Sequence, residues 1–282
     1  MKRKIEKIIR GKPAMDGAGV KLTRVVGNGT MYDFDPFLMM DDFDSKDYRD
    51  YMKGFPMHPH RGIETITFLS QGSITHRDSM GNEDTIESGE VQWMTAGSGI
   101  LHEEMLNPVD RLLGLQLWLN LPEKNKMVDP NYYSIKNKDI ENIKIEGGKL
   151  RLLTGNYKGH QGFQGKNLDL NLYHIILDKD SKIDIETEKE KKVFIFTLLG
   201  NIDIGGELIG EKEAVLFGLG EEISIRALDE QVEVVYFESR ELGEKIAWAG
   251  PIVMNTKREL IKAYDELDRG EFLKSKIRMN EE

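Results

Sequence analysis

Cysteine does not occur anywhere in this 282-residue chain. Disulfides, iron–sulfur clusters, thiolate-bound zinc and cysteine nucleophiles are excluded together, so any bound metal must be held by nitrogen and oxygen donors. Long apolar runs are missing too: no stretch reaches the roughly eighteen residues that a membrane-spanning helix needs. The basic start Met1-Lys2-Arg3-Lys4-Ile5-Glu6-Lys7 is not followed by the apolar core of a signal peptide, so a cytoplasmic protein that engages no membrane is the expectation. Positive charge is in deficit, with 39 Lys and Arg against 49 Asp and Glu and a formal charge of −10. A direct grip on a phosphate backbone is therefore disfavoured, and no direct nucleic-acid binding is expected.

Histidine is scarce, and its placement is the most informative feature present. Of six histidines, three fall in two short pieces, His58-Pro59-His60 and His102-Glu103-Glu104. On an extended strand residues i and i+2 face the same way, so His58 and His60 can converge on one ion. The same parity pairs His102 with Glu104 and turns Glu103 away. Three imidazoles and a carboxylate suit one divalent ion of Fe, Mn, Co, Ni, Cu or Zn, and leave positions open on an ion that takes more than four ligands. Glu64 shares the parity of the first pair but lies about 13 Å further along a straight strand. It is expected behind the ligands, orienting an imidazole.

Short β-branched and aromatic segments recur between glycine-rich turns: Gly62–Leu69, Glu90–Met94, Leu113–Leu121, Leu150–Leu153, Leu170–Leu177, Lys192–Leu199, Glu213–Leu219, Ile223–Ala227 and Val232–Glu238. Regular spacing of this kind predicts an all-β sandwich or barrel. One helix is predicted near the end, capped by Asn255-Thr256, with Leu260, Ile261, Tyr264 and Leu267 on one face and Gly270 as its stop. The chain also repeats itself. Gly89-Glu90 with Gly97-x-Gly99 recurs as Gly210-Glu211 with Gly218-x-Gly220, an offset that sets Ile223 and Ile225 where the first copy has His102 and Glu104. Two β-domains follow, a metal-binding one over 1–130 and a metal-free one over 131–282 that carries the helix. Their boundary is placed in the polar stretch from Pro122 to Pro130.

Gly54-Phe55-Pro56-Met57-His58-Pro59-His60-Arg61-Gly62-Ile63-Glu64-Thr65, together with Gln92-Trp93-Met94-Thr95-Ala96-Gly97-Ser98-Gly99-Ile100-Leu101-His102-Glu103-Glu104-Met105, resembles the pirin family of bicupins. Asp35-Pro36-Phe37-Leu38, Gly114-Leu115-Gln116-Leu117-Trp118 and Gly250-Pro251-Ile252-Val253-Met254-Asn255-Thr256 extend the likeness over nearly the whole chain. The resemblance implies two cupin jelly-roll barrels face to face. It implies a metal, usually iron, held in the first by His58, His60, His102 and Glu104, and a C-terminal helix packing back on that first domain. It also offers Phe55, Arg61 and Gln116 as contacts to an aromatic substrate. Glu104 is a candidate base for a substrate hydroxyl.

Some pirin-like bacterial proteins resemble quercetinases, which open a flavonol with dioxygen, and animal pirins resemble transcription co-regulators. The first likeness implies a small aromatic substrate and O2. The second implies a non-catalytic, iron-dependent protein that binds a protein partner. His76 is read as a hydrogen-bonded surface histidine, His160 and His174 as structural, Trp93 and Trp118 as packing, and Met94 and Met105 as core filling. The segment Phe272–Met279 is read as a frayed tail.

Overall fold

All nine segments picked out by alternation form strands, with ends within two residues of those expected. The computed structural model describes residues 1–275. Its residues gather into two compact units that interleave along the chain. One comprises Met1–Lys12, Tyr32–Pro36 and Asn137–Glu241; the other comprises Pro13–Met31, Phe37–Lys136 and the described residues from Leu242 onward. A single cut at residue 130 does not describe this pattern, because the first strand belongs with the later unit and the final helix with the earlier one.

In the unit built around Phe37–Lys136, a seven-stranded sheet runs in the order Asn131–Ile135, Val91–Thr95, Ile63–Gln71, Leu112–Asn120, Phe37–Ser45, Val20–Val26 and Lys12–Asp16. A four-stranded sheet, Phe55–His60, Ile100–Leu106, Ser73–Asp78 and Glu83–Glu87, forms the other wall of a jelly-roll barrel. A core cluster draws Leu22, Phe43 and Leu69 from the large sheet and Ile74, Ile86 and Leu106 from the small one. The inner face is unusual in its polarity: Thr65, Thr67, His76, Gln92, His102 and Glu104 are all buried. Buried polar groups survive only with partners, so this face is built for something other than packing.

The unit built around Asn137–Glu241 repeats the plan of seven strands and four. Its interior is hydrocarbon, with Ile175, Ile195, Val215, Ile223, Ile225 and Val234 in one cluster. Ile223 and Ile225, the counterparts of His102 and Glu104 by the repeat, are fully enclosed there.

The helix spans Lys257–Asp268 and starts in a capping box in which the Glu259 N–H donates to Thr256 Oγ1 and the Thr256 N–H returns a bond to Glu259. Leu260, Tyr264 and Leu267 pack on Ile252, Met254 and Phe272 in the unit built around Phe37–Lys136, whereas Ile261 is 62% exposed and lies off the buried face. The wider stripe read from sequence included one residue too many. Thr256→Ala is expected to cost about 1 kcal/mol, seen as a fall of roughly 2–4 °C in melting temperature.

Two further expectations are corrected. Lys126, in the stretch read as a polar linker, is buried, and its ammonium donates to the carbonyls of Gly62 and Val253 and to Asn120. Phe272 is buried in the helix cluster rather than frayed; residues 276–279 of that segment lie outside the described residues. Among the described residues no helix is long and apolar enough to cross a membrane.

Candidate metal centre

His58 and His60 lie on Phe55–His60, the strand that pairs with Ile100–Leu106 in a register setting His102 opposite His58. Gly62 ends this strand at φ +79°, and a Cβ there would stand 1.9 Å from the Val253 carbonyl oxygen, so the chain turns sharply after His60 only because the residue is glycine. The turn also places Glu64 on the next strand, Ile63–Gln71, where its buried carboxylate accepts from Thr95 at 2.7 Å.

The three imidazoles converge. Ring centroids of His58 and His102 are 4.4 Å apart, and those of His60 and His102 are 5.0 Å apart. His58 donates from Nδ1 to the Pro56 carbonyl at 2.8 Å, and His60 donates from Nδ1 to the Pro251 carbonyl at 3.0 Å. Carbonyls only accept, so each neutral ring carries its proton on Nδ1 and its lone pair on Nε2. Those two Nε2 atoms face each other at 3.1 Å. Nε2 of His102 is buried with no hydrogen-bond partner. Burial, and then the neighbouring His58, push His60 down to about 3; burial also lowers His102 well below its ordinary value, helped by His60 and His58. Neutral rings crowding their lone pairs together in a dry site are a poor arrangement for a protein alone and a good one for a divalent cation. The residues present fit a metal, and the three histidines form a group able to hold one.

Glu104 points inward and is 2% exposed, while Glu103 faces out toward Arg77, as strand parity requires. Both Glu104 oxygens accept from amides, Oε1 from Gln92 and Oε2 from Gln116 at 2.8 Å. Glu104 groups with His76 and His102 rather than with all three converging imidazoles. A cavity of about 470 Å³ opens onto the histidines, with Phe55, His58, His60, Gln116, Trp118 and Trp248 in its wall. Trp118 stands edge-on to His60, with centroids 4.9 Å apart.

The fold and this geometry agree with two family models: Pirin over residues 19–119 and Pirin C-terminal cupin domain over residues 172–273. A pirin-like protein of Caulobacter vibrioides is 35% identical, covering 96% of this chain and 99% of its own. This chain belongs to the pirin family. Among solved structures similar to this pirin is a quercetin 2,3-dioxygenase from Acinetobacter baumannii, with 31% identity, a TM-score of 0.88, and 96% of this chain and 99% of that chain covered. Another is a bacterial pirin from Escherichia coli in complex with nickel(II), with 26% identity, a TM-score of 0.63, and 83% and 99% covered.

Of the three substrate contacts inferred from sequence, Phe55 and Gln116 line the cavity of this pirin and Arg61 does not. The Arg61 side chain is buried away from it, donating to the Ser98 carbonyl at 2.7 Å, to Glu266 at 2.8 Å and to the Phe272 carbonyl at 2.7 Å. Trp118 both packs and lines the cavity, Met94 is core, and Met105 is 37% exposed rather than core. His160 is an exposed partner of Glu141, and His174 is a buried partner of Glu233.

The largest departure is His76, which is fully buried, not a surface residue. The signal for it was present in Thr75-His76-Arg77-Asp78, whose alternation puts His76 and Asp78 on one face just as it does His58 and His60. Gln92 and Trp248 were missed because an amide and an indole carry no metal signature.

Proposed function

We propose that this pirin is an iron-dependent dioxygenase that opens the ring of a flavonol, with His58, His60, His102 and Glu104 holding the ion. The observation that carries this reading is the aromatic-walled cavity ending on two of the imidazoles. Its volume, about 470 Å³, falls in the roughly 300–1,000 Å³ range of sites that enclose a small molecule. The similarity to a solved quercetin 2,3-dioxygenase supports the same class. The ion supplies a positive, redox-capable centre that favours a deprotonated substrate hydroxyl and makes dioxygen chemistry available. Three neutral imidazoles and one carboxylate would leave Fe(II) with net positive charge and open positions; Mn, Co, Ni, Cu or Zn would also fit the donors.

The chain's own residues do the positioning. Phe55, Trp118 and Trp248 present flat apolar faces to an aromatic ligand and limit water. Gln116 reaches from the cavity wall to Glu104, and we assign to that carboxylate the uptake of a substrate hydroxyl proton. A concave cavity of this size beside the imidazoles suits a small substrate better than a macromolecular partner, which weighs against the non-catalytic co-regulator reading.

Apo protein reconstituted with Fe(II) in the absence of air, given a panel of flavonols and then oxygen, is expected to consume both and to release carbon monoxide into the headspace. Iron-loaded protein that consumes neither above a His102→Ala control would defeat the reading and leave the iron-dependent binding protein in its place.

A further inference from the structure

Behind His102 lies a buried group that does not line the cavity. Asp78 is held in the turn after its strand, where Oδ1 accepts from the backbone of Met80 at 2.9 Å and of Asn82 at 3.1 Å. Its Oδ2 accepts from Asn82 Nδ2 at 2.9 Å and from His76 Nε2 at 3.0 Å. The backbone N–H groups of Met80 and Asn82 and the side-chain amide of Asn82 all donate to Asp78, so its carboxyl group serves as an acceptor. His76 therefore carries a proton on Nε2. Its Nδ1 lies 3.4 Å from Nδ1 of His102, and Tyr132 stacks flat on its ring with centroids 4.3 Å apart and planes within 13°.

One hydrogen can lie between two ring nitrogens. If His76 is neutral, its Nδ1 is a lone pair, His102 donates from Nδ1, and the lone pair of His102 stands at Nε2 on the side of His58 and His60. If His76 carried both protons, His102 would bear an N–H at Nε2, a buried donor without an acceptor. Only the first arrangement leaves no buried donor unmatched and gives three convergent lone pairs.

We propose that His76 and Asp78 are positioning residues: an Asp78–His76–His102 chain fixes His102 as its Nδ1–H tautomer and aims Nε2 at the metal ion. This inference rests on the metal-site reading above. Metal-bound histidines usually hand their second N–H to a carboxylate or carbonyl, and losing such a partner typically weakens metal affinity by about 10–100-fold. Here a second imidazole carries that link from carboxylate to ligand.

Two measurements test it. In ¹⁵N-labelled apo protein, long-range ¹⁵N–¹H correlation is expected to show His102 protonated at Nδ1 and His76 at Nε2; a His102 Nε2–H tautomer overturns the chain with no metal involved. In competition with a chromophoric chelator, His76→Leu is expected to weaken Co(II) binding by about 10–100-fold. His76→Asn, whose amide oxygen can stand near the lost Nδ1, should recover most of it at a similar apo melting temperature. If wild type binds Co(II) and His76→Leu binds within twofold of it, the positioning role is refuted while the metal site stands. If wild type binds no divalent ion, the metal reading fails first. Should His76→Leu not fold, the tautomer measurement and His76→Asn still decide.

Discussion

Replacing His102 with alanine is expected to remove both the bound ion and all flavonol-dependent oxygen uptake. Besides Glu104, the remaining donors are His58 and His60, which come from one strand and supply only two imidazoles from one side. Losing His102 deletes the third Nε2, separates the Glu104 side from the His58 and His60 side, and leaves Nδ1 of His76 facing a void. The loss of affinity should exceed the roughly 10–100-fold typical of removing an outer partner of a ligand. Metal content after anaerobic loading should fall from about one ion per chain to a trace. His160→Ala is the matched control: that histidine is exposed and paired with Glu141, so its removal should leave metal content unchanged. A His102→Ala protein that still holds one ion per chain would show that the converging imidazoles are not the site.

Much of this site was legible because strand parity is a strong constraint. His58 with His60, and Glu104 in preference to Glu103, follow from the period of two alone; the structure buries His60 and Glu104 and brings the half-buried His58 ring to 4.4 Å from His102. The strands with β-branched cores were equally plain. Phe55–His60 was not, since two prolines in six residues hide a strand and only the histidine spacing hinted at one. Parity also has a short reach. It placed Glu64 on the histidine strand, but Gly62 bends the chain and moves Glu64 to the neighbouring strand beside Thr95. Interleaving of the two units was invisible for a different reason: local pattern records what a segment is, and pairing of Ile5–Arg10 with Glu213–Phe217 depends on residues some 200 positions away. The same limit explains Arg61, whose partners Ser98, Glu266 and Phe272 are remote in sequence.

Arg61→Ala should therefore unsettle the fold and not the substrate. The guanidinium ties together three segments: the turn that follows the His58–His60 strand, the Ser98 turn that leads into the His102 strand, and the C-terminal segment, through Glu266 on the helix and Phe272 beyond it. Its carbon lies 4.2 Å over the Phe272 ring, adding a cation–π contact. Removing one partner of a buried ion pair costs about 3–5 kcal/mol. Here the lower end applies, because Lys274 lies 2.9 Å from Glu266 and keeps its carboxylate paired, while the Ser98 and Phe272 carbonyls lose their donor. A cost of about 3 kcal/mol corresponds to a fall of roughly 6–12 °C in melting temperature. Arg61→Lys should rescue little, since one ammonium on a flexible stem cannot serve three acceptors that a planar fork meets in different directions. Adding Glu266→Ala to Arg61→Ala should cost less than the two single losses combined, the mark of a shared interaction. The flavonol KM of folded Arg61→Ala should stay close to wild type, because Arg61 lies outside the cavity wall. A raised KM at an unchanged melting temperature would instead make Arg61 a substrate contact, the role the family resemblance suggested and its buried bonds argue against.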